Sequence, residues 1–319
     1  MKKLNKVLYL FLCITMILSF SACGNTSNKG KESSENKSIE TKDTNKSYPK
    51  KIKDFLGKEI TLEKEPTRVV SLAPSATETI FALGRGNLLV GRTDYCNYPK
   101  EATKIESIGK LDEPNVEKII SLKPDVVFST SLTKPGIIKK LQDANIKVLN
   151  VLENTMGFED VYKNINLFGD TLNAKDKSDE VIKDMKDKVT SISNKTKNTQ
   201  KPKVYYVISY GEAGDYTATG DTFINELINL AGADNIAKDA KGWKYTKEKI
   251  IANNPDIIIV SKHMDSKKGF MSNPSYKSLK AVKENKVFEI DNNNLDIPSP
   301  RLVDGLEDLT KIIHPELFK

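Results

Sequence analysis

His263 and His314 are the only histidines in the sequence, which leaves a Ser-His-Asp relay few ways to form. No G-x-S-x-G turn presents a nucleophile either. His314 lies in the tail "KIIHPELF" and reads as a surface residue, and His263 follows the strand "IIIVS" as a solvated loop residue. Metal-site spacing is absent, with no C-x-x-C, no H-x-x-x-H and no further histidine to complete three ligands. "GRGNLLVGRT" comes within one residue of a phosphate-binding loop. Its interior, however, is the strand-like "NLLV", and Arg92 stands where the lysine would reach the phosphates. What remains suits binding. Tyr95, Tyr98, Trp243 and Tyr245 fall in loops beside two similar helices, and flat aromatic faces in such loops stack on large ligands.

Those helices belong to a sentence written twice: "EKIISLKPDVVF" from Glu117 and "EKIIANNPDIII" from Glu248. In the first, Asn115 caps a helix with Glu117 in its first turn, Pro124 stops it, and Asp125 leads into a strand. In the second, Thr246, Glu248, Pro255 and the strand "DIIIVS" take the same parts. "TETIFALGRGN" and "INELINLAGADN" repeat earlier in each half, and two motifs repeating in one order indicate duplicated lobes. Strands alternating with helices imply parallel sheets. A hairpin turns at Gly57, and Ser75 with Glu78 forms a capping box ahead of Gly84. From Ala174 to Thr196 no turn signal interrupts a stripe of Val181, Ile182, Met185, Val189 and Ile192. A single helix of about 23 residues, roughly 35 Å long, would join the lobes rigidly.

The chain opens with lysines, an apolar run from Val7 to Phe20 and small residues before Cys23, the layout of a secretory signal peptide. "SFSAC" resembles a bacterial lipobox, with Cys23 as the lipidated first residue of the mature protein. The Ser-, Asn- and Lys-rich stretch that follows cannot bury enough apolar surface to fold and reads as a tether. Cys96 then stands alone, so no intramolecular disulfide is expected. The net charge of +7 is spread among interspersed Lys and Glu, without a basic patch for nucleic acid. The expected organisation is signal peptide 1–22, lipidated disordered tether 23–47, N-terminal α/β lobe 48–173, interlobe helix and linker 174–199, and C-terminal α/β lobe 200–319.

"RVVSLAPSATETIFALG", "GRTDYCNYP", "NVEKIISLKPDVV" and "SPR" together resemble the cobalamin- and ferric-siderophore-binding family of ABC-importer substrate-binding proteins, which also includes haem binders. The resemblance implies an α/β fold of two Rossmann-like lobes joined by one long rigid helix, with ligand in the cleft between them and no catalysis. It implies permease docking through Glu117 and Glu248. Tyr95 matches one of the aromatic residues that grip the corrin in cobalamin binders, and Trp243 lies close to another. Leu111 replaces a tryptophan, and "NNNLDIPSPR" lacks an Asp and an Arg found there. Cobalamin is therefore set ahead of ferric siderophore or haem, with Arg92 and Arg301 available to an anionic siderophore. The expected protein is a monomeric lipoprotein outside the cytoplasm, anchored to the cell membrane. It would serve an ABC permease and its ATPase and hold no cofactor of its own. A cell-surface hydrolase or chelatase, and a structural lipoprotein without a ligand, are the other readings.

Overall fold

Val69, Val70 and Ser71 are buried, as are all four residues from Val126 to Ser129, because these short runs become central strands covered on both faces. The computed structural model describes residues 48–151 and 157–319. The expected leader, Cys23 and the tether lie outside the described residues.

The first lobe opens with the antiparallel hairpin β1 (Lys50–Lys53) and β2 (Glu59–Leu62), turned at Gly57 with a φ of 78°. The chain continues through β3 (Val69–Ser71), α1 (Pro74–Ala82), β4 (Leu89–Arg92), α2 (Val116–Ser121) and β5 (Val126–Ser129). It closes with α3 (Pro135–Asp143), β6 (Lys147–Asn150) and α4 (Phe158–Thr171). The strands form a parallel sheet in the order β4-β3-β5-β6.

After α5 (Lys175–Thr196) the second lobe runs β7 (Lys203–Ser209), β8 (Tyr216–Thr217), α6 (Phe223–Leu230), β9 (Asp234–Asn235) and α7 (Lys247–Asn253). Next come β10 (Ile257–Ser261), α8 (Ser266–Ser272), α9 (Lys280–Lys283), β11 (Val287–Ile290), α10 (Asn293–Asp296) and α11 (Leu302–Ile313). Its parallel strands order as β9-β7-β10-β11, with β8 antiparallel on β7. This is the order of the first sheet, so the sequence repeat is also a repeat of topology.

Alternation along the strands divides the core. Val70, Val127 and Val148 face one side of the first sheet with Ile119 of α2 and Leu141 of α3. Tyr205, Ile258 and Val260 do the same in the second, under α7, α8 and α9. The opposite faces, with Val69, Phe128, Tyr206 and Ile259, join α1, α4, α5, α6 and α11 in one continuous apolar cluster. The two lobes therefore share a core. Within it α5, 22 residues and about 33 Å long, buries Ile182, Met185 and Ile192, while Val181 and Val189 pack at its edge.

Two local expectations are corrected. Ser75 does not cap α1: the N-cap is Ala73 without a side-chain bond, Pro74 begins the helix, and Ser75 lies inside it. His314 is buried, its Nε2 3.0 Å from the Gly232 carbonyl oxygen and its Nδ1 3.0 Å from Glu316. It joins the end of α11 to the end of α6.

Candidate ligand cleft and lobe junction

Because each sheet is parallel, its strand C-termini share one edge, and loops leaving that edge collect the residues best placed to meet a ligand. In the first lobe this edge carries Tyr95 and Tyr98 after β4 and Leu132 after β5, exposed by 55%, 46% and 57%. In the second it carries Trp243, between β9 and α7, and Met264 after β10, exposed by 39% and 94%. β4 and β9 hold the same place in their sheets, as do β5 and β10. Exposed apolar side chains thus occupy matching loops of the two lobes. Leu132 and Met264 escape a sequence reading because a lone apolar loop residue carries no period.

Trp243 is held in a left-handed backbone conformation, φ 68°. Its N–H donates to Thr219 Oγ1 at 3.1 Å and its carbonyl accepts from the Thr217 N–H at 2.8 Å, leaving the indole at the surface. Tyr245 is not a cleft residue. It is buried in the outer core of the second lobe, its hydroxyl donating to the Ile236 carbonyl at 2.7 Å and accepting from Asn253 Nδ2 at 2.9 Å. Arg92 is also turned to structure, since its Nη1 and Nη2 donate to the carbonyls of Thr93 and Thr103 at 2.9 and 3.3 Å. It braces the loop that presents Tyr95 and Tyr98. Cys96 in that loop is buried, with its sulfur 3.3 Å from Thr93 Oγ1.

Arg301 reaches the junction of the lobes. Its guanidinium carbon lies 4.1 Å from the centre of the Tyr98 ring, a cation–π distance. Nη2 and Nε donate to the two carboxylate oxygens of Glu78 at 2.5 and 3.2 Å, and Nη1 donates to Asn294 Oδ1 at 3.0 Å. Burial raises the Glu78 carboxyl above its ordinary range, opposed by the hydrogen bonds from Arg301 and Ser299. A cavity of about 400 Å³ opens beside this pair, lined among others by Phe81, Tyr98, Met185, Lys188 and Arg301. A larger space, about 510 Å³, touches Pro202, Asp256 and His314. It lies at the N-terminal ends of β7 and β10, the edge opposite the exposed loops.

At the C-terminal ends of β10 and β11 the second lobe carries a polar network. Ser261 Oγ donates to Asn292 Oδ1 at 2.7 Å, Asn292 Nδ2 to Asp296 Oδ2 at 2.6 Å, and the Tyr206 hydroxyl to Asp296 Oδ1 at 3.3 Å. His263, on the same edge, has Nε2 3.7 Å from Asp291 Oδ1.

Glu117 and Glu248 stand exposed in the first turns of α2 and α7. Asn115 Oδ1 accepts from the Lys118 N–H at 3.0 Å and Thr246 Oγ1 from the Lys249 N–H at 3.4 Å, so both expected caps form. The Glu248 carboxyl is held below its ordinary range by its own N–H and the Thr246 hydroxyl.

Two α/β lobes with parallel sheets, one bridging helix and exposed side chains on matching loops define a two-lobed solute-binding protein. The chain belongs to the periplasmic binding protein family, whose profile matches residues 69–294. It is 35% identical to the uncharacterized ABC transporter substrate-binding lipoprotein YvrC of Bacillus subtilis, over 94% of each chain. It is 27% identical to a vitamin B12-binding protein of Vibrio parahaemolyticus, covering 77% of this chain and 90% of that one. Among solved structures, a possible iron-binding periplasmic solute-binding protein of Staphylococcus epidermidis superposes with a TM-score of 0.71 at 30% identity, covering 79% of this chain and all of that one. The vitamin B12-binding protein BtuF of Vibrio cholerae superposes with a TM-score of 0.66 at 25% identity, over 80% and 98% of the two chains.

Proposed function

We propose that this protein is the extracytoplasmic substrate-binding lipoprotein of an ABC importer and that its cleft receives a large metal chelate, a corrinoid before a ferric siderophore or haem. The observation that carries the reading is the matched pair Tyr95 and Trp243, exposed on corresponding loops of opposite lobes. A flat macrocycle between two aromatic faces buries a large apolar area on both sides. Tyr98, backed by Arg301, supplies a further wall. The vitamin B12-binding relatives favour a corrinoid. The 30% identity to a possible iron binder keeps a ferric chelate as the second reading. Cys23 would carry the lipid that anchors the chain to the membrane, and Glu117 with Glu248 would meet the permease.

Trp243 is the only tryptophan and reports directly on the cleft. Titration with cyanocobalamin should quench its fluorescence with saturation in the micromolar range or below. An unchanged signal with cyanocobalamin, together with quenching by haemin or a ferric siderophore, would move the assignment to iron.

A further inference from the structure

The second repeated motif places a glutamate at the same point of each lobe. Glu78 lies six residues before Gly84 in α1 and Glu226 six before Gly232 in α6, and both glycines have positive φ, 69° and 80°. Each carboxylate is gripped by the opposite lobe. Glu78 accepts from Ser299 Oγ at 2.5 Å and from Arg301 as described, residues that lead into α11. Glu226 accepts from the N–H of Phe158, the first residue of α4, at 2.9 Å. α4 and α11 are counterparts, each following the fourth strand of its sheet's repeat. The exchange is reciprocal: the first helix of either lobe holds the start of the last helix of the other.

The Glu78 contact is costly to leave half made. The Glu78 side chain is 3% exposed and that of Arg301 14%. Ser299 is fully buried. A buried carboxylate without its partner is an uncompensated charge. Glu226 sits at the N-terminus of the 14-residue α4, whose dipole and Phe158 N–H favour an anion, while burial and the neighbouring Glu159 and Asp160 raise its carboxyl above the ordinary range. Position 157 is fitted to that contact, because a Cβ placed on Gly157 would come 1.9 Å from Glu226 Oε2.

We propose that Glu78 and Glu226 are paired clasps that set the angle between the lobes, and that Glu78 also positions Arg301 beneath the Tyr98 ring as one wall of the cleft. Hydrogen–deuterium exchange on the full chain tests this without any ligand, so its outcome is separate from the identity of the cargo. E226Q should speed exchange in the first turn of α4, in the other lobe, at least tenfold. E78Q should do the same in the first turn of α11. R301Q should reproduce the E78Q pattern and leave α4 unchanged. G157A, which pushes the Glu226 carboxylate away while leaving the second lobe's sequence intact, should reproduce the E226Q pattern. Exchange confined to the mutated helix, or wild-type protection at α4 in both E226Q and G157A, would overturn the proposal.

Discussion

Asp125 and Asp256, the aspartates that follow proline in the twice-written sentence, tie the start of each lobe's first sheet strand. Asp125 Oδ2 accepts from the Thr67 and Arg68 N–H groups at 2.8 and 3.0 Å and from Thr67 Oγ1 at 3.0 Å. Asp256 Oδ2 accepts from the Lys203 N–H at 2.9 Å, and Oδ1 pairs with Lys280 at 2.8 Å. Both carboxyls are held below their ordinary range: Lys280 is the main cause for Asp256, while for Asp125 burial pushes upward and the Thr67 and Arg68 amides prevail. A carboxyl lower in the folded chain than in the unfolded one contributes stability that is complete above about pH 3.9 and lost as pH falls through its folded value. D125A should therefore cost about 1–2 kcal/mol at pH 7 and weaken the pH dependence below pH 4. Urea melts across that range check both, and an unchanged midpoint at pH 7 counts against the tie. At this scale the sequence was partly legible. Trp243 and Tyr245 look alike in a loop, yet the positive φ at Trp243 breaks the extended alternation, and one ring is exposed while the other is buried.

α2 and α7 have 6 and 7 residues, too short to hold together without caps and packing. Ile119 and Ile250 anchor them to the outer cores, and Asn115 and Thr246 close their first turns. Exposed carboxylates at these N-termini are favoured by about 0.3–1 kcal/mol through the helix dipole, so the fold keeps Glu117 and Glu248 at the surface without strain. The double variant E117A/E248A should retain cyanocobalamin affinity and lose permease-dependent uptake; uptake at the wild-type rate would remove the docking role. These caps were readable because capping is local. The α1 cap departs from its sequence pattern for the converse reason: Glu78, three residues after Ser75, has the spacing of a capping box, but its partners Ser299 and Arg301 lie 221 and 223 residues away. No local signal announces them.

For the whole molecule, duplication and parallel sheets could be inferred from repeated motifs and strand–helix alternation. Strand order could not, since pairing within a sheet leaves no mark on a single strand. Nor was the shared apolar cluster visible, in which the inner faces of both sheets meet around α5. A continuous core, one long helix and two reciprocal carboxylate contacts oppose a hinge, because wide closure needs a few residues free to absorb large backbone rotations. Small-angle scattering curves of the free and cyanocobalamin-saturated protein should superimpose; a radius of gyration that contracts on binding argues for hinge closure instead. The reciprocal contacts also bear on how the molecule is made. Synthesis completes α1 long before Ser299 and Arg301 exist, so the Glu78 carboxylate must wait in water, and its burial belongs to the last act of assembly. A nascent first lobe is in this sense an unfinished product that only the end of the chain can seal.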